Sequence, residues 1–192
     1  MDDVRKWRQK AAVYRLIAAF YAGDLSAGQE AVARIGTLLG ITLMVPPLDD
    51  DGRYDFNRLF VGPQKLLAPP LESYYRNVEH LPMQAETLAV RAAYSEAGLE
   101  LTERNKIPDD HAQFEFYFLS CLLEAVCRYQ GETLAVQAAY AYQRFLQEHL
   151  LLWVFAHLRA VDKGCSSVYC RHVAGAIYEF MRWEKEAAHH EV

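Results

Sequence analysis

The sequence predicts an all-α fold, a compact bundle of about eight helices packed by ordinary helix–helix rules. Three observations predict it. Apolar residues recur at three- and four-residue spacing through most of the chain. No stretch of useful length alternates apolar and polar residues as a strand would. Only 10 Gly and 7 Pro punctuate 192 residues. A hydrophobic content of 52% is ample for a packed core and excludes a mostly disordered chain.

The first helix is predicted over residues 3–22, where Val4, Trp7, Ala11, Tyr14, Leu16, Ile17 and Phe20 make a broad apolar face and Asp2 or Asp3 can cap the start. Ser26 opens a second helix that runs to Leu39 and closes at Gly40. Residues 45–53 read as a loop and 54–60 as a short amphipathic helix stopped by Gly62-Pro63. An irregular apolar strip ends in Pro69-Pro70, and a short turn or helix follows at Glu72–Tyr75. Residues 83–97 form a helix ended by Gly98.

Residues 99–110 are a polar linker, the best candidate for a hinge between an N-terminal helical subdomain (1–98) and a C-terminal one (111–192). Pro108 forces Ile107 out of helical geometry, and Asp109 or Asp110 is expected to cap the next helix. Asp110 and Gln113 have capping-box spacing. The helix from 111 to 129 is the most apolar of all. Phe114, Tyr117, Phe118, Cys121, Leu122 and Ala125 make one stripe, and Phe116, Leu119, Leu123 and Cys127 populate the other side. A helix apolar nearly all round is expected to be central and buried. Helices over 132–148, 150–162 and 166–187 complete the chain, and Glu86–Tyr94 nearly repeats as Glu132–Tyr140.

Charge and composition narrow the function. A net charge of −5 argues against a nucleic-acid partner, and the basic stretch Arg5, Lys6, Arg8, Lys10 reads as a solvated helix face. No run approaches the roughly 18 apolar residues of a membrane span, and the start lacks a signal-peptide core, so a cytoplasmic location without stable membrane insertion is expected. Cys121, Cys127, Cys165 and Cys170 suggest free thiols rather than a disulfide framework. Cys165, Cys170 and His172 supply at most three zinc ligands at no standard spacing, and Glu186-x-x-His189 alone does not make a dinuclear site, so no metal and no cofactor are expected. Neither a nucleophile elbow nor a phosphate-binding Gly loop is present, and no enzyme is specified.

Two segments stand out. In Phe56–Tyr75 a short apolar helix face (Phe56, Leu59, Phe60) leads into a Pro-rich strip and Glu72. In Pro108-Asp109-Asp110-His111 a histidine sits at a helix start, where the dipole favours its neutral form, able to donate one hydrogen bond and accept another. Together they resemble the TorD/DmsD/NarJ family of redox-enzyme maturation chaperones. The resemblance rests on Phe56-x-x-Leu59-Phe60 followed by Gly62-Pro63, on Pro69-Pro70-Leu71-Glu72-Ser73 with Tyr75 beyond, and on Pro108-x-Asp110-His111 leading to Glu115-Phe116. Their order and separation match along nearly the whole chain. Two positions depart: Ile107 stands where the family usually has Glu, and Leu71 where an aromatic is common.

The resemblance implies a cytoplasmic, non-catalytic chaperone. Its partner would be the precursor of a molybdopterin-containing oxidoreductase, bound through the twin-arginine signal peptide, the apo-enzyme body or both until the cofactor is inserted. It also implies a monomer or a domain-swapped homodimer. The expected client site is a groove between the 54–60 helix, the Pro-rich strip and the start of the 111 helix. Phe56, Leu59, Phe60, Pro70, Leu71 and Tyr75 would take the apolar part of a peptide. Glu72, Asp110 and Glu115 would pair with arginines, His111 would order the hinge, and Pro108 and Asp109 would form it. On that reading Leu59→Asp removes binding and leaves helix content near normal. A helical adaptor without a maturation role, or a metal-dependent helical enzyme using the Cys165/Cys170/His172 cluster, are the alternatives.

Overall fold

The computed structural model describes residues 2–102 and 106–190. Residues 103–105 of the expected linker, the side chains of Asp2 and Asp3 expected to cap the first helix, and the side chain of His189 lie outside what is described. Nine helical segments follow in order among the described residues: α1 (Asp2–Tyr21), α2 (Leu25–Leu39), α3 (Asp50–Phe56), α4 (Glu72–Arg76), α5 (Ala85–Glu96), α6 (Ala112–Arg128), α7 (Thr133–Phe145), α8 (Leu151–Gly164) and α9 (Val168–His190). The only β pairing among the described residues is a single antiparallel bridge, Leu71 with His111.

Local chemistry places most boundaries. Asp24 caps α2 by accepting from the N–H groups of Ser26 and Ala27, and Gly40 closes the helix at φ 67°, a left-handed conformation that only glycine adopts without cost. Asp49 caps α3 through the N–H of Gly52, so the helix begins earlier than the loop expected at 45–53. A π turn, Asn57–Val61, continues α3 to Gly62.

The expected break near residue 149 is absent. A second π turn, Leu146–Leu150, joins α7 to α8, and the flanking residues keep right-handed helical dihedrals. A π turn adds about one residue to a helical turn. It shifts the buried stripe from Ala135, Ala138, Tyr142 and Phe145 to Trp153, His157 and Val161. Continuing the earlier spacing would have turned Leu152 inward, and Leu152 is 53% exposed. Counting α7–α8 as one rod leaves eight helices, as the sequence predicts.

One hydrophobic core crosses the expected subdomain boundary. Tyr14 and Ile17 of α1, Phe116 and Leu119 of α6, Trp153 of α8 and Phe180 of α9 all belong to it. Helix α1 lies along α6, α2 closes on α9, and α7 flanks α6. The core therefore does not divide at 99–110.

Inside it, Lys10 and Glu184 form an ion pair at 2.8 Å, with side-chain exposures of 8% and 1%. The Lys10 ammonium also lies over the rings of Trp7, Tyr142 and Trp183 at 4.9, 4.7 and 5.6 Å. Tyr142 donates to Glu184 at 3.0 Å. The basic stretch of α1 is thus split: Lys10 is a core residue, Lys6 lies over Trp183, and the arginines face outward.

Candidate functional site

The expected site residues come together around α4, but inside the protein rather than along an open groove. The Pro-rich strip and the start of α6 are hydrogen-bonded as a two-residue ladder: Ala112 N–H donates to the Pro70 carbonyl at 2.8 Å, and Glu72 N–H to the Asp110 carbonyl at 3.1 Å. Leu71 and His111 form the bridge between them.

Asp110 does not cap α6. Its carboxylate turns back to the start of α4, accepting from Ser73 N–H at 2.7 Å and from the Thr87 hydroxyl at 2.8 Å. It satisfies an amide of α4 that no residue of that segment caps. The cap of α6 is His111, whose Nδ1 accepts from Gln113 N–H at 3.2 Å. An accepting Nδ1 requires an unprotonated ring nitrogen there, and burial, against the pull of Asp110, lowers the ring to about 4. The neutral histidine that the helix start predicts is therefore present, while the Asp110–Gln113 capping box is not.

Glu72 and Glu115 are fully buried. Glu72 accepts from Arg76 at 2.5 Å and is paired with His149 Nδ1 at 3.0 Å. Glu115 accepts from Trp153 Nε1 at 3.0 Å. Burial, and then the charge of neighbouring Glu72, push its carboxyl well above the usual carboxylate range. Its other oxygen has no hydrogen-bond partner among the described residues. Tyr75 stacks on Trp153 and contacts His157 Nδ1 at 3.3 Å, and Tyr21 reaches His157 Nε2 at 2.8 Å. Asp109 is held by Arg91 of α5, and Tyr94 donates to its carbonyl at 3.0 Å.

The apolar half of the expected site is core. Phe56, Leu59 and Phe60 have exposures of 4%, 0% and 6%. Phe60 packs on Tyr21 and His157, and Phe56 on Phe20. Pro70 is also buried, and Leu71 and Tyr75 are half-buried. In this conformation Phe56, Leu59 and Phe60 offer no surface to a peptide. The aromatic motif instead clamps the α8–α9 corner. Asp55, just before it, accepts from the N–H groups of Ser166 and Ser167 at 2.9 Å each. Arg58 donates to Asp55 and to the Gly164 carbonyl. Burial alone would raise the Asp55 carboxyl, but hydrogen bonds from Ser167, Arg58 and Ser166 hold it below the usual range.

Sequence reasoning missed Asp55, His149, Trp153 and His157. The last three sit four residues apart, one face of a helix, and that spacing was a usable signal. His157 also carries a pH prediction. Burial lowers its ring to about 3, against roughly 6.5 in an unfolded chain. Between those values the unfolded state binds more protons, so this contribution is complete above pH 6.5 and is lost as pH falls toward 3. Glu115 works oppositely, its raised carboxyl favouring the folded state at low pH. Because His157→Gln retains Glu115, the comparison isolates the imidazole: between pH 6.5 and 5 the variant should lose stability less steeply than the parent, by a difference that grows toward about 1.4 kcal/mol per pH unit near pH 5. Urea titrations across that range measure it, and identical slopes would refute it.

The open surface lies on the other side of α6. Phe114, Tyr117, Phe118, Cys121, Leu122 and Ala125, the first apolar stripe read from the sequence, line two adjoining cavities of about 390 and 820 Å³. Leu99, Leu101 and Ile107 of the linker wall the smaller one, and Leu134, Ala138, Tyr140 and Ala141 of α7 the larger. Leu99, Tyr117, Leu134 and Tyr140 are 39%, 49%, 44% and 69% exposed, so the lining is reachable from solvent. Helix α6 is thus buried over most of its circumference, as its apolarity on both sides predicts: Phe118 and Leu122 of this stripe are core residues, and Tyr117 is its exposed member.

Cys165 and Cys170 are packed thiols, Cys165 donating to the Asp162 carbonyl and Cys170 to that of Gly52, and burial pushes Cys170 up to about 12; Cys121 and Cys127 are half-buried. Among the described residues no group of His, Cys, Asp and Glu is placed to hold a metal ion, and no helix is long and apolar enough to cross a membrane.

Comparison with known proteins agrees with the fold. A crystal structure described as that of a candidate redox enzyme maturation protein from Archaeoglobus fulgidus superposes with a TM-score of 0.58 over 93% of each chain, at 18% identity. Among curated proteins none matches the sequence. The sequence model of the nitrate reductase delta subunit family matches residues 27–158, from α2 through most of α8. The chain therefore belongs to the nitrate reductase delta subunit family, a group of non-catalytic chaperones that serve the maturation of nitrate-reductase-type molybdoenzymes.

Proposed function

We propose that this protein is a cytoplasmic, system-specific chaperone that binds the signal peptide, the apo-enzyme body or both of a molybdopterin-containing oxidoreductase and keeps the precursor from export or assembly until its cofactor is in place. It performs no chemistry of its own. The observation that carries the reading is the apolar cleft between the linker, α6 and α7, floored by Phe118 and Leu122 and rimmed by the exposed Leu99, Tyr117, Leu134 and Tyr140. It is an elongated apolar groove suited to a helical or extended segment, and Glu96 and Glu148 stand at its edge, both paired with Arg144, which a client arginine would have to displace. The buried Glu72, Asp110 and Glu115, with the half-buried His111, fix the position of α6 and the end of the linker, and so set the shape of the groove. Residues 99–110 serve as its hinge, with Pro108 and Asp109 at the fixed end.

Calorimetric titration with a synthetic peptide carrying an Arg-Arg pair and an apolar run tests the reading. The protein should bind it. Leu134→Asp combined with Tyr140→Asp should weaken binding about tenfold or more, because each places a charge against an apolar ligand, with an unchanged melting temperature since both side chains are exposed. Affinity for the folded, cofactor-loaded enzyme and none for the peptide or the apo-enzyme would sink the reading and leave an adaptor.

A further inference from the structure

We propose that the arginine-lined trough along α1 is a docking surface for an acidic polypeptide segment. Two concavities of about 640 and 480 Å³ meet at Arg8 and Ala12 on the outer face of α1. Arg5, Arg8 and Arg34 surround the first, and Arg8, Arg15 and Arg128 the second. All five arginines are exposed. Gathering them on one face of a chain whose net charge is −5 makes a local field opposite in sign to the whole.

The partition within α1 is what creates the surface. The sequence has a run of mixed lysine and arginine, and the fold withdraws Lys10 into an ion pair with Glu184 and lays Lys6 over Trp183. Only the arginines are left to face the trough. Arg15 is held by Glu124 at 2.5 Å and Arg34 by Glu30 at 3.2 Å. Arg5, Arg8 and Arg128 have no carboxylate partner among the described residues, and Arg8 lies beside the Cys127 thiol. The small side chain of Ala12 keeps the floor low between them.

Geometry selects the occupant. Arg5 to Arg15 spans ten residues of helix, about 15 Å, so the guanidinium groups are strung along a line rather than converged on one point. From Arg8 to Arg15 the trough runs along the side of the helix, where the N–H groups are engaged in the helical ladder, so that stretch has no cluster of free amides to cradle a compact phosphate. A row of separated carboxylates on an extended segment matches the spacing, and arginine's planar fork suits each carboxylate. This surface shares no lining residue with the groove between the linker, α6 and α7, so it stands independently of the client-binding reading.

Fluorescence anisotropy with a labelled oligoglutamate peptide of about six residues, roughly 20 Å extended, tests the proposal. The protein should bind it at low ionic strength and lose it steeply as salt rises. Combined Arg5→Glu, Arg8→Glu and Arg128→Glu should weaken it about tenfold or more, with an unchanged melting temperature and unchanged affinity for the Arg-Arg peptide. No binding, or equal binding by the charge-reversed variant, would overturn the proposal. So would arginine-dependent retention on phosphatidylglycerol vesicles without peptide binding, which would mark the trough as a membrane surface.

Discussion

Replacing Leu59 by aspartate is expected to unfold the protein rather than to disable a binding groove. Leu59 has 0% exposure, and its methyl groups approach Gly164 so closely that a Cβ there would lie 3.3 Å from Leu59 Cδ2. Its carbonyl accepts from Ala68 N–H at 3.2 Å, tying the π turn to the Pro-rich strip. Losing a buried leucine costs about 2–5 kcal/mol. A carboxylate with no partner adds several more, either by burial of the charge or by forced protonation. The sum approaches the entire stability of a typical domain, about 5–15 kcal/mol. Circular dichroism should therefore show no cooperative melt at 25 °C and above, while Leu59→Met, which conserves volume, costs less than about 1.5 kcal/mol and melts normally. A native melting curve for Leu59→Asp would mean that this part of the chain opens to solvent, and would restore Phe56, Leu59 and Phe60 as direct peptide contacts.

The second large effect is expected at Glu184. Burial raises its carboxyl, while Lys10 and the hydroxyls of Tyr142 and Tyr14 pull it back. Glu184→Ala leaves the Lys10 ammonium inside a cage of Trp7, Tyr142 and Trp183 with no counter-charge. Breaking a buried pair from one side costs about 3–5 kcal/mol, or roughly 6–20 °C in melting temperature for a chain of this size. The aromatic rings over Lys10 recover part of it through cation–π attraction, which places the result toward the lower end. The double variant Lys10→Met, Glu184→Leu removes both charges and should recover most of the loss. Denaturant titrations of the single and double variants measure both. A loss below about 1 kcal/mol for Glu184→Ala would show that the pair is hydrated.

The pair lies outside residues 27–158, so the family match does not cover it. It joins the first helix to the last, and so links the two halves that the sequence divides at 99–110. Together with the packing of α1 on α6, it holds α1, α6 and α9 to one another.

Some of this was open to sequence reading for a clear physical reason. Apolar spacing set the helices, because any one face must find a core. Gly40 and Gly98 marked ends, because a cap satisfies amides or carbonyls within a few residues of itself, whereas the second helix opens at Leu25 under Asp24 and not at Ser26. A neutral His111 was expected from its place at a helix start, but what lowers its ring is burial. The three motifs also met in space, although as a packed node instead of a receptacle.

What tertiary structure alone decided was which face, which partner and which side of the surface. The nine-residue near-repeat shows it. In α5 it buries Thr87, Val90 and Tyr94, whereas in α7 the same pattern buries Ala135 and Ala138, and the counterparts Val136 and Tyr140 are 70% and 69% exposed. An alanine-rich helix has several faces of nearly equal apolarity, so its own residues cannot choose among them; the neighbours do. Asp110 likewise had a local amide to cap and took one 37 positions away. Local interactions reach one helical turn, and that is the range over which this sequence determined its own structure. Burial, charge pairing and the open groove depend on residues brought together from distant parts of the chain, and only the assembled fold specifies them.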